Sequence, residues 1–307
     1  MKVIRTMEHI KEYFSGQNTA VALGAFDGLH IGHRAVIRPA VESGLRSVVF
    51  TFKDNPAALL GGRVRYLTTV EERLRILESW GVDTVVLPDF SEVAGLSAQA
   101  FLELLFTEIS AQKLFCGTDF TFGCGAAGNT ETLQAACRAR GAELHVIPAV
   151  TLRGERVSAT RIRNALERGD AEEAAALLGR PFGFELEVVH GNRLGRTIGI
   201  PTVNQPLPAD FVLPRFGVYA SAVRIGDTEY LGVTNVGVKP TVGSDRVLAE
   251  TWIPDFAGDL YGRTLRLELL GFIRDERKFA SLEELREVIA DNAVTARAIY
   301  ERHKSTL

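Results

Sequence analysis

The sequence has few cysteines, little net charge and no long apolar run. The three cysteines, Cys116, Cys124 and Cys137, contain no CxxC pair, so they predict neither a disulfide framework nor a zinc knuckle and favour a reducing, cytoplasmic compartment. The 35 basic residues against 38 acidic residues give a net charge of −3, which lacks the basic excess that nucleic-acid binding needs. No uninterrupted apolar run reaches about 18 residues, so neither a signal peptide nor a membrane span is expected.

The rest of the composition is that of an ordinary globular protein. Hydrophobic residues make up 46% of the 307 residues and charged residues 24%, which excludes intrinsic disorder and a collagen-like chain. Because the length exceeds what one hydrophobic core usually organises, we expect two domains.

Apolar runs of strand length alternate with helical stretches in the first half of the chain. Strands are predicted at residues 19–26, 47–52, 83–88, 113–117 and 143–148. Thr69-Val-Glu-Glu72 is a capping box, which predicts a helix that ends at Gly81. Such alternation is typical of a parallel sheet covered on both faces, so the sequence predicts a Rossmann-like, doubly wound α/β domain.

The pattern changes near residue 158. Two short helices, 158–167 and 171–179, read as a helical connector. Short apolar runs separated by turn residues then predict an antiparallel barrel or sandwich, and they lie at 184–189, 217–225, 230–237, 248–253 and 264–273. A second capping box at Ser281 predicts a C-terminal helix. We therefore expect domains at 1–182, including the connector at 158–180, and at 183–307.

The strongest local motif is GAFDGLHIGH at residues 24–33, which follows the first predicted strand. At the carboxyl end of a parallel strand, free backbone N–H groups and the helix dipole favour anions, and glycines let phosphate approach the backbone. The alternative is that both histidines are surface loop residues hydrated by water. We interpret the motif as a phosphate site whose candidate residues are Gly24, Phe26, Asp27, Gly28, His30, Gly32 and His33.

An HxGH element in this position resembles the nucleotidylyltransferase superfamily. Residues 117–129 and 157–163 resemble its flavin-adenylating branch, and four segments resemble a riboflavin kinase, namely 191–204, 216–221, 232–241 and 259–265. Together, in this order, they resemble the bacterial bifunctional riboflavin kinases and FAD synthetases. The resemblance implies a nucleotidylyltransferase domain followed by a β-barrel kinase domain. It also implies ATP, riboflavin and FMN as substrates, FAD as product and Mg²⁺ as cofactor.

The resemblance implies roles for residues in the first domain. His30 and His33 would bind ATP phosphates and stabilise the adenylyl-transfer transition state. Ser158, Thr160 and Arg163 match a second phosphate motif, in which Ala159 replaces a serine. The alternative for this second segment is an ordinary capped helix with solvated arginines.

A flavin and adenine site is implied near residues 119–129. Its candidate residues are Asp119, Phe120, Phe122 and Asn129, and core packing is the alternative for the two phenylalanines. Asp54 and Asn55 stand where the family usually has a histidine between two prolines. This departure puts the efficiency of adenylylation in doubt.

The second domain has its own implied phosphate and metal motif. The phosphate residues are Gly195, Arg196 and Gly199, and the Mg²⁺ ligands are Thr202 and Asn204. Neutral side-chain oxygens suit a hard cation that bridges ATP phosphates.

Two further residues complete the implied kinase site. Glu250 would accept the proton of the riboflavin 5′-hydroxyl, with a solvent-facing strand glutamate as the alternative. Arg274 would lie near the flavin, with a solvated arginine as the alternative. Gln205 and Lys239 replace the usual leucine and arginine of the family.

The sequence leaves three functional hypotheses. The first is an enzyme that phosphorylates riboflavin to FMN and adenylylates FMN to FAD with release of pyrophosphate. The second is a riboflavin kinase with a weakened or regulatory N-terminal domain. The third is a flavin-binding or regulatory module without turnover. The oligomeric state is left open, and a monomer would be able to act.

Overall fold

The chain is described here by a computed structural model that covers the backbone of residues 1–54, 65–191, 199–241 and 244–305. Side chains are described throughout these ranges except at 239–241, 244 and 245. The chain divides into two compact units, Met1–Ser158 and Ala159–Leu307. Among the described helices, none combines the length and the apolar character needed to cross a membrane.

The first unit is built on a parallel sheet. Its strands are β1 (Lys2–Ile4), β2 (Thr19–Leu23), β3 (Arg46–Phe50), β4 (Thr84–Val86), β5 (Ala111–Gly117), β6 (Thr121–Phe122), β7 (Gly128–Asn129), β8 (Glu143–Ile147), β9 (Thr151–Leu152) and β10 (Glu155–Arg156). Six of them form one sheet in the order β1-β4-β3-β2-β5-β8, with every pairing parallel. The pairs β6–β7 and β9–β10 are antiparallel. The predicted doubly wound architecture is therefore confirmed.

Helices connect the strands and cover the sheet. They are α1 (Ile10–Phe14), α2 (Ile31–Val41), α3 (Val70–Ser79), α4 (Phe90–Ala94), α5 (Ala98–Glu103) and α6 (Thr130–Arg140). A π-helical turn, Leu104–Glu108, continues α5, and a 3₁₀ turn spans Cys124–Ala126. The predicted N-cap is present, since Thr69 Oγ1 accepts a hydrogen bond from Glu72 N at 3.2 Å, which is the first of the two bonds of a capping box.

Alternate residues of the strands feed two cores, one on each face of the sheet. Val21 and Leu114 lie in one cluster, whereas Ala22 and Phe115 lie in the other. Because both faces are buried, the strands read as continuous apolar runs in the sequence.

The order of the parallel sheet reverses beside β2. The chain proceeds from β2 to β3 and β4 on one side, and β5 and β8 lie on the other. In open α/β sheets, ligands bind outside the carboxyl ends of the strands at such a reversal. The turn that follows β2 and the loop that follows β5 therefore occupy the expected binding edge.

The second unit begins with two helices and continues as a curled antiparallel sheet. The helices are α7 (Ala159–Arg168) and α8 (Ala171–Leu178), and α9 (Leu282–Lys304) closes the unit. The strands are β11 (Phe182–Glu187), β12 (Thr202–Pro206), β13 (Gly217–Ile225), β14 (Thr228–Thr241), β15 (Ser244–Trp252) and β16 (Thr264–Arg274). Their order is β11-β16-β13-β14-β15-β12, and all pairings are antiparallel. The strands form one sheet that curls on itself. Of the two predicted architectures, the antiparallel barrel is therefore confirmed and the sandwich is not.

The helix α9 packs on the outer face of this sheet. Ala296 and Tyr300 contact a buried cluster that includes Val218, Ala220 and Leu231. Ser281 caps the helix, because its Oγ accepts a hydrogen bond from Glu284 N at 3.1 Å, which confirms the predicted N-cap. The Glu284 carboxylate accepts a hydrogen bond from Ala280 N at 2.7 Å, one residue before the N–H that a capping box uses. The connector helices α7 and α8 group with this second unit.

The two edge strands of the curled sheet, β11 and β12, meet at a seam. Val189 N donates to Asn204 O at 2.8 Å, forming an isolated bridge. Inside the sheet, Gln205 Nε2 donates to Leu186 O at 2.7 Å and to Leu265 O at 2.8 Å. Gln205 is fully buried, so a side chain completes the closure that the backbone ladder leaves open.

Candidate active sites

The turn after β2 has a constrained backbone. Phe26 and Leu29 adopt φ values of 49° and 44°, and Gly28 adopts 77°. Positive φ is costly for residues with a Cβ, and such strain clusters at functional sites. The Phe26 ring lies so close to Gly24 that a Cβ on Gly24 would come within 2.8 Å of Phe26 Cε1. This position therefore favours glycine.

The two histidines of the motif lie together at the start of α2. His30 is the N-cap, is 6% exposed, and accepts a hydrogen bond at Nδ1 from His33 N at 3.2 Å. The imidazole rings stack with centroids 3.5 Å apart, and the Phe26 ring lies edge-on to His33 at 5.3 Å. A Cβ on Gly32 would lie 3.1 Å from the His30 ring. The pair therefore forms one unit at the N-terminus of the helix, where the helix dipole favours anions.

Asp27 faces a segment that the sequence analysis did not single out. Its Oδ1 accepts a hydrogen bond from Leu67 N at 3.2 Å. Leu67 is fully buried and packs on Gly28, where a Cβ would come within 2.7 Å of Leu67 Cδ1. Residues 67–73 contain no motif that the sequence alone could link to phosphate or flavin binding. Their support of the turn is visible only in the contacts of the folded chain.

The loop after β5 places Asp119 and Asn129 at the surface. Asp119 is exposed and forms an ion pair with Arg156 at 2.6 Å. Asn129 is the N-cap of α6, and its Oδ1 accepts from Thr132 N at 2.9 Å and from Thr132 Oγ1 at 3.0 Å. The Asn129 Oδ1 is thus engaged in capping the helix.

A row of aromatic rings extends from this loop into the core. Its members are Phe120, Phe122, Phe101, Phe50, Phe52 and Phe90, with successive ring centroids 5.1–5.8 Å apart. Phe122 is 6% exposed and belongs to the core cluster, which corresponds to the packing alternative. Phe120 is partly buried at the end of the row, so its ring is the better placed of the two for a flat ligand.

The second phosphate motif lies where the two units divide. Ser158 is the last residue of the first unit, and Thr160 and Arg163 lie in α7 of the second. Thr160 is exposed and Arg163 is half-buried. Asp54, the first departure from the family pattern, is half-buried after β3, and Asn55 lies outside the described residues.

In the second unit, register brings three candidate residues to one face of the curled sheet. Glu250 on β15 is paired with Asn204 on β12 and with Asn235 on β14. Residues directly opposite in adjacent strands have Cβ atoms about 4.5–5.5 Å apart. Thr202, two residues before Asn204, lies on the same face. The structure therefore brings the predicted base and both predicted metal ligands together.

Asn235 and Glu276 extend this group and were missed by the sequence analysis. Asn235 Nδ2 donates to Glu276 Oε1 at 2.9 Å. A Cβ on Gly237 would meet the Glu276 carboxylate, so the chain passes close to that side chain. Only the strand pairing of β14 with β15 reveals that Asn235 adjoins Glu250.

Asn204 has an oxygen available for a cation. The residue is 4% exposed, and its Oδ1 is buried without a hydrogen-bond partner among the described residues. Its amide lies against Gly191, where a Cβ would come within 2.6 Å of Nδ2. An unpaired buried amide oxygen beside Thr202 fits a hard cation such as Mg²⁺, which prefers oxygen ligands. Within the described ranges, no group of three or more His, Cys, Asp or Glu side chains is arranged to hold a metal.

The other residues predicted for the kinase site lie partly within and partly outside the described residues. Gly199 is exposed with φ of 75°. Gly195, Arg196 and the side chain of Lys239 lie outside the described residues. Arg274 ends β16, where its Nε donates to Asn292 Oδ1 at 3.1 Å and its Nη1 to Asp275 O at 2.9 Å. Burial and the nearby Arg277 lower the pKa of Arg274 from its ordinary value.

These two units define a class of protein, the nucleotide-dependent transferase with two active sites. A histidine pair at the reversal of a parallel sheet suits the binding of phosphates, and a carboxylate beside amide and hydroxyl oxygens suits phosphoryl transfer. Comparison with known families refines this class. Residues 14–161 match the FAD synthetase family, and residues 178–300 match the riboflavin kinase family.

Curated relatives match both units together. A bifunctional riboflavin kinase/FMN adenylyltransferase from Escherichia coli K12 is 38% identical over 309 residues, which cover 98% of each chain. The enzyme of the same description from Bacillus subtilis 168 is 34% identical over 282 residues, covering 88% of this chain and 89% of that one. The chain belongs to the family of bifunctional riboflavin kinases and FMN adenylyltransferases.

A solved structure supports the same fold. A crystal structure from Streptococcus pneumoniae, described as a macrolide-efflux protein, superposes with a TM-score of 0.87 at 33% identity and covers 97% of this chain and 99% of that one.

The family assignment decides between the functional hypotheses. Both an FAD synthetase domain and a riboflavin kinase domain are present, which supports the enzyme with two activities and not the kinase alone. Both families depend on ATP and generally use a divalent metal ion.

Proposed function

We propose that this chain converts riboflavin to FMN in its second domain and FMN to FAD in its first, with ATP as the donor in both steps. The domains are taken as residues 1–182 and 183–307. The metal ion in both reactions is Mg²⁺. The observation that carries the proposal is that each domain contains a candidate site of its own, the histidine pair after β2 and the Asn204–Glu250–Asn235 group.

In the kinase reaction, the riboflavin 5′-oxygen attacks the γ-phosphorus of ATP and ADP leaves. Glu250 accepts the hydroxyl proton, and its half-buried position keeps the carboxylate near Asn204 and Asn235. Asn235, held by Glu276, orients the carboxylate. Gly195, Arg196 and Gly199 bind the phosphates of the donor, and Arg274 lies near the flavin.

Thr202 and Asn204 would hold the magnesium ion of the kinase reaction. The Asn204 Oδ1, which has no hydrogen-bond partner within the described ranges, supports this assignment. When bound, the ion would neutralise charge on the ATP phosphates and on the leaving group.

In the adenylylation reaction, a phosphate oxygen of FMN attacks the α-phosphorus of ATP and pyrophosphate leaves. No covalent enzyme intermediate is needed, so the residues act by positioning and by charge stabilisation. His30 and His33 donate hydrogen bonds to ATP phosphates, and the turn formed by residues 24–28 supplies backbone N–H groups. Ser158, Thr160 and Arg163 bind further phosphate oxygens.

The flavin ring of FMN is proposed to lie against Phe120, with Asp119, Phe122 and Asn129 as neighbouring candidates. The exposed end of the aromatic row supports this position for Phe120. Asp54 and Ala159 depart from the family pattern without removing the backbone donors of either phosphate motif, so we expect the site to remain active.

The protein is proposed to act in the cytoplasm, with a monomer able to carry out both reactions. Cysteine usage supports the reducing compartment, and a net charge of −3 supports small-molecule partners in place of nucleic acid.

A chromatographic time course tests the proposal. Purified protein is incubated with riboflavin, ATP and Mg²⁺, and a parallel sample starts from FMN. We expect FMN to appear and then to be converted to FAD. Accumulation of FMN with no FAD in the FMN-fed sample would restrict the protein to riboflavin kinase activity.

A further inference from the structure

A buried arginine on α3 has no role in the proposed chemistry. Arg73 is 6% exposed. Its Nη1 donates to Phe52 O at 2.9 Å and its Nη2 to Lys53 O at 2.6 Å, and its buried Nε has no hydrogen-bond partner in the part of the chain that the structure describes. Among the described residues no carboxylate forms an ion pair with it. A buried guanidinium held only by carbonyls costs stability, so its presence requires a reason.

The charges around Arg73 come from the candidate site. Burial lowers the pKa of the guanidinium, and the Asp27 carboxylate is the largest opposing influence, followed by Tyr66 and Asp54. Asp27 belongs to the phosphate turn, and Asp54 follows β3. Arg73 therefore lies within electrostatic reach of the turn that carries the histidine pair.

The backbone that Arg73 holds has two functional neighbours. Thr51 Oγ1 donates to Ala25 O in the phosphate turn at 2.9 Å. The Phe52 ring contacts Phe50 and Phe90 in the aromatic row, with centroids 5.8 Å and 5.1 Å away. Residues 51–53 thus join the phosphate turn to the aromatic row at the carboxyl end of β3.

We propose that Arg73 is a positioning residue for FMN adenylylation, because its two bonds to the Phe52 and Lys53 carbonyls fix the stretch that supports both the phosphate turn and the aromatic row. The proposal rests on the proposed function. Arg73 acts through this stretch and touches neither substrate.

The test exploits the shape of the guanidinium. Arginine presents donors in a rigid planar fork, whereas lysine is a single ammonium on a flexible stem. Arg73→Lys keeps the charge and loses the simultaneous hold on two carbonyls. We expect KM for FMN to rise about tenfold in adenylylation while kcat changes by less than about threefold, because a displaced binding wall weakens substrate and transition state alike.

The chain offers a matched control. Arg75 lies on the same helix with a side chain 43% exposed, 3.9 Å from Glu72. Arg75→Lys should leave KM for FMN unchanged. The kinase rate of the same Arg73→Lys sample should also be unchanged, since the kinase site lies in the other unit.

The two kinetic constants of Arg73→Lys in FMN adenylylation separate a positioning role from a purely structural one. A lower kcat with unchanged KM, or no change in either constant, would reduce Arg73 to a stabilising residue and overturn the proposal. A wild-type protein that does not adenylylate FMN would instead refute the proposed function itself.

If Arg73→Lys fails to fold, Thr51→Val tests the same stretch by removing its bond to Ala25, and we expect KM for ATP to rise. Unchanged KM values in that variant would also overturn the proposal.

Discussion

The two units assemble their candidate sites by different means. In the first, the candidate residues lie in short continuous motifs, two of which follow β2 and β5. In the second, Asn204, Glu250 and Asn235 lie on three strands and meet through register. A site in a turn depends on local backbone geometry, whereas a site across strands depends on the whole sheet. Substitutions that affect one activity and spare the other test this difference.

The largest effect is expected from Glu250→Gln. The change removes the proposed base and keeps the shape of the side chain, so FMN formation should fall by on the order of 10² to 10⁴. Chromatography of the riboflavin reaction measures it. FMN supplied directly should still be adenylylated at the wild-type rate, because that site does not depend on the curled sheet. An undiminished kinase rate would remove Glu250 from the role of base.

His33→Ala should have the next largest effect, and in the opposite unit. Losing a donor to developing charge should lower FAD formation from FMN by about 10² to 10³ and leave FMN formation intact. His145→Ala is the matched control, since His145 lies in the same unit on β8, pairs with Glu143 at 3.2 Å and is half-exposed. Equal losses of both activities in His33→Ala would indicate misfolding.

Asn204→Leu separates function from stability within the kinase site. Removing a metal ligand should raise the Mg²⁺ concentration needed for half-maximal kinase activity by about 10- to 100-fold. The Asn204 Oδ1 has no partner among the described residues, and replacing an unsatisfied buried group by an apolar one is neutral or stabilising. The melting temperature without metal should therefore not fall. A clear loss of stability with unchanged Mg²⁺ dependence would make Asn204 a structural residue.

The smallest effect concerns the thiols of the first unit. Burial raises the pKa of Cys116 and of Cys137 to about 11. Because the unfolded thiols ionise near pH 9, the folded state loses stability as the pH rises from about 9 towards 11, by about 1 kcal/mol per thiol at pH 10. Urea unfolding at pH 8 and pH 10 measures the loss. The Cys116→Ala and Cys137→Ala double variant should show a correspondingly smaller difference between the two pH values.

The comparison also explains what could be predicted from the sequence. The phosphate turn was predictable because its glycines and histidines are consecutive and follow an apolar strand. The N-caps Thr69 and Ser281 were predictable for the same reason, since the bonded residues lie three positions apart. Asn235 and Glu276 were not, because no local pattern shows which strands will be neighbours.

Other differences arise where local signals have two physical explanations. The strand β12 was not predicted because Pro201 and Pro206 enclose it, yet four of its residues between the prolines pair with β15. Asn129 and Phe122 fit a flavin loop by sequence, but one caps α6 and the other packs in the core. Arg73 lies in a helix rich in charged residues, and only the folded chain shows that it is buried.

The seam between β11 and β12 has a consequence for how molecules of this protein behave at high concentration. An open sheet presents unpaired backbone groups on its edge strands, onto which a second chain can add. Here the Gln205 amide occupies two carbonyls across the gap, and Pro206 ends β12 with a residue that has no N–H to offer. The strand β12, whose pairing with β15 places Asn204 beside Glu250, thereby offers little backbone at the seam for a neighbouring molecule to extend, which protects the barrel from edge-to-edge aggregation.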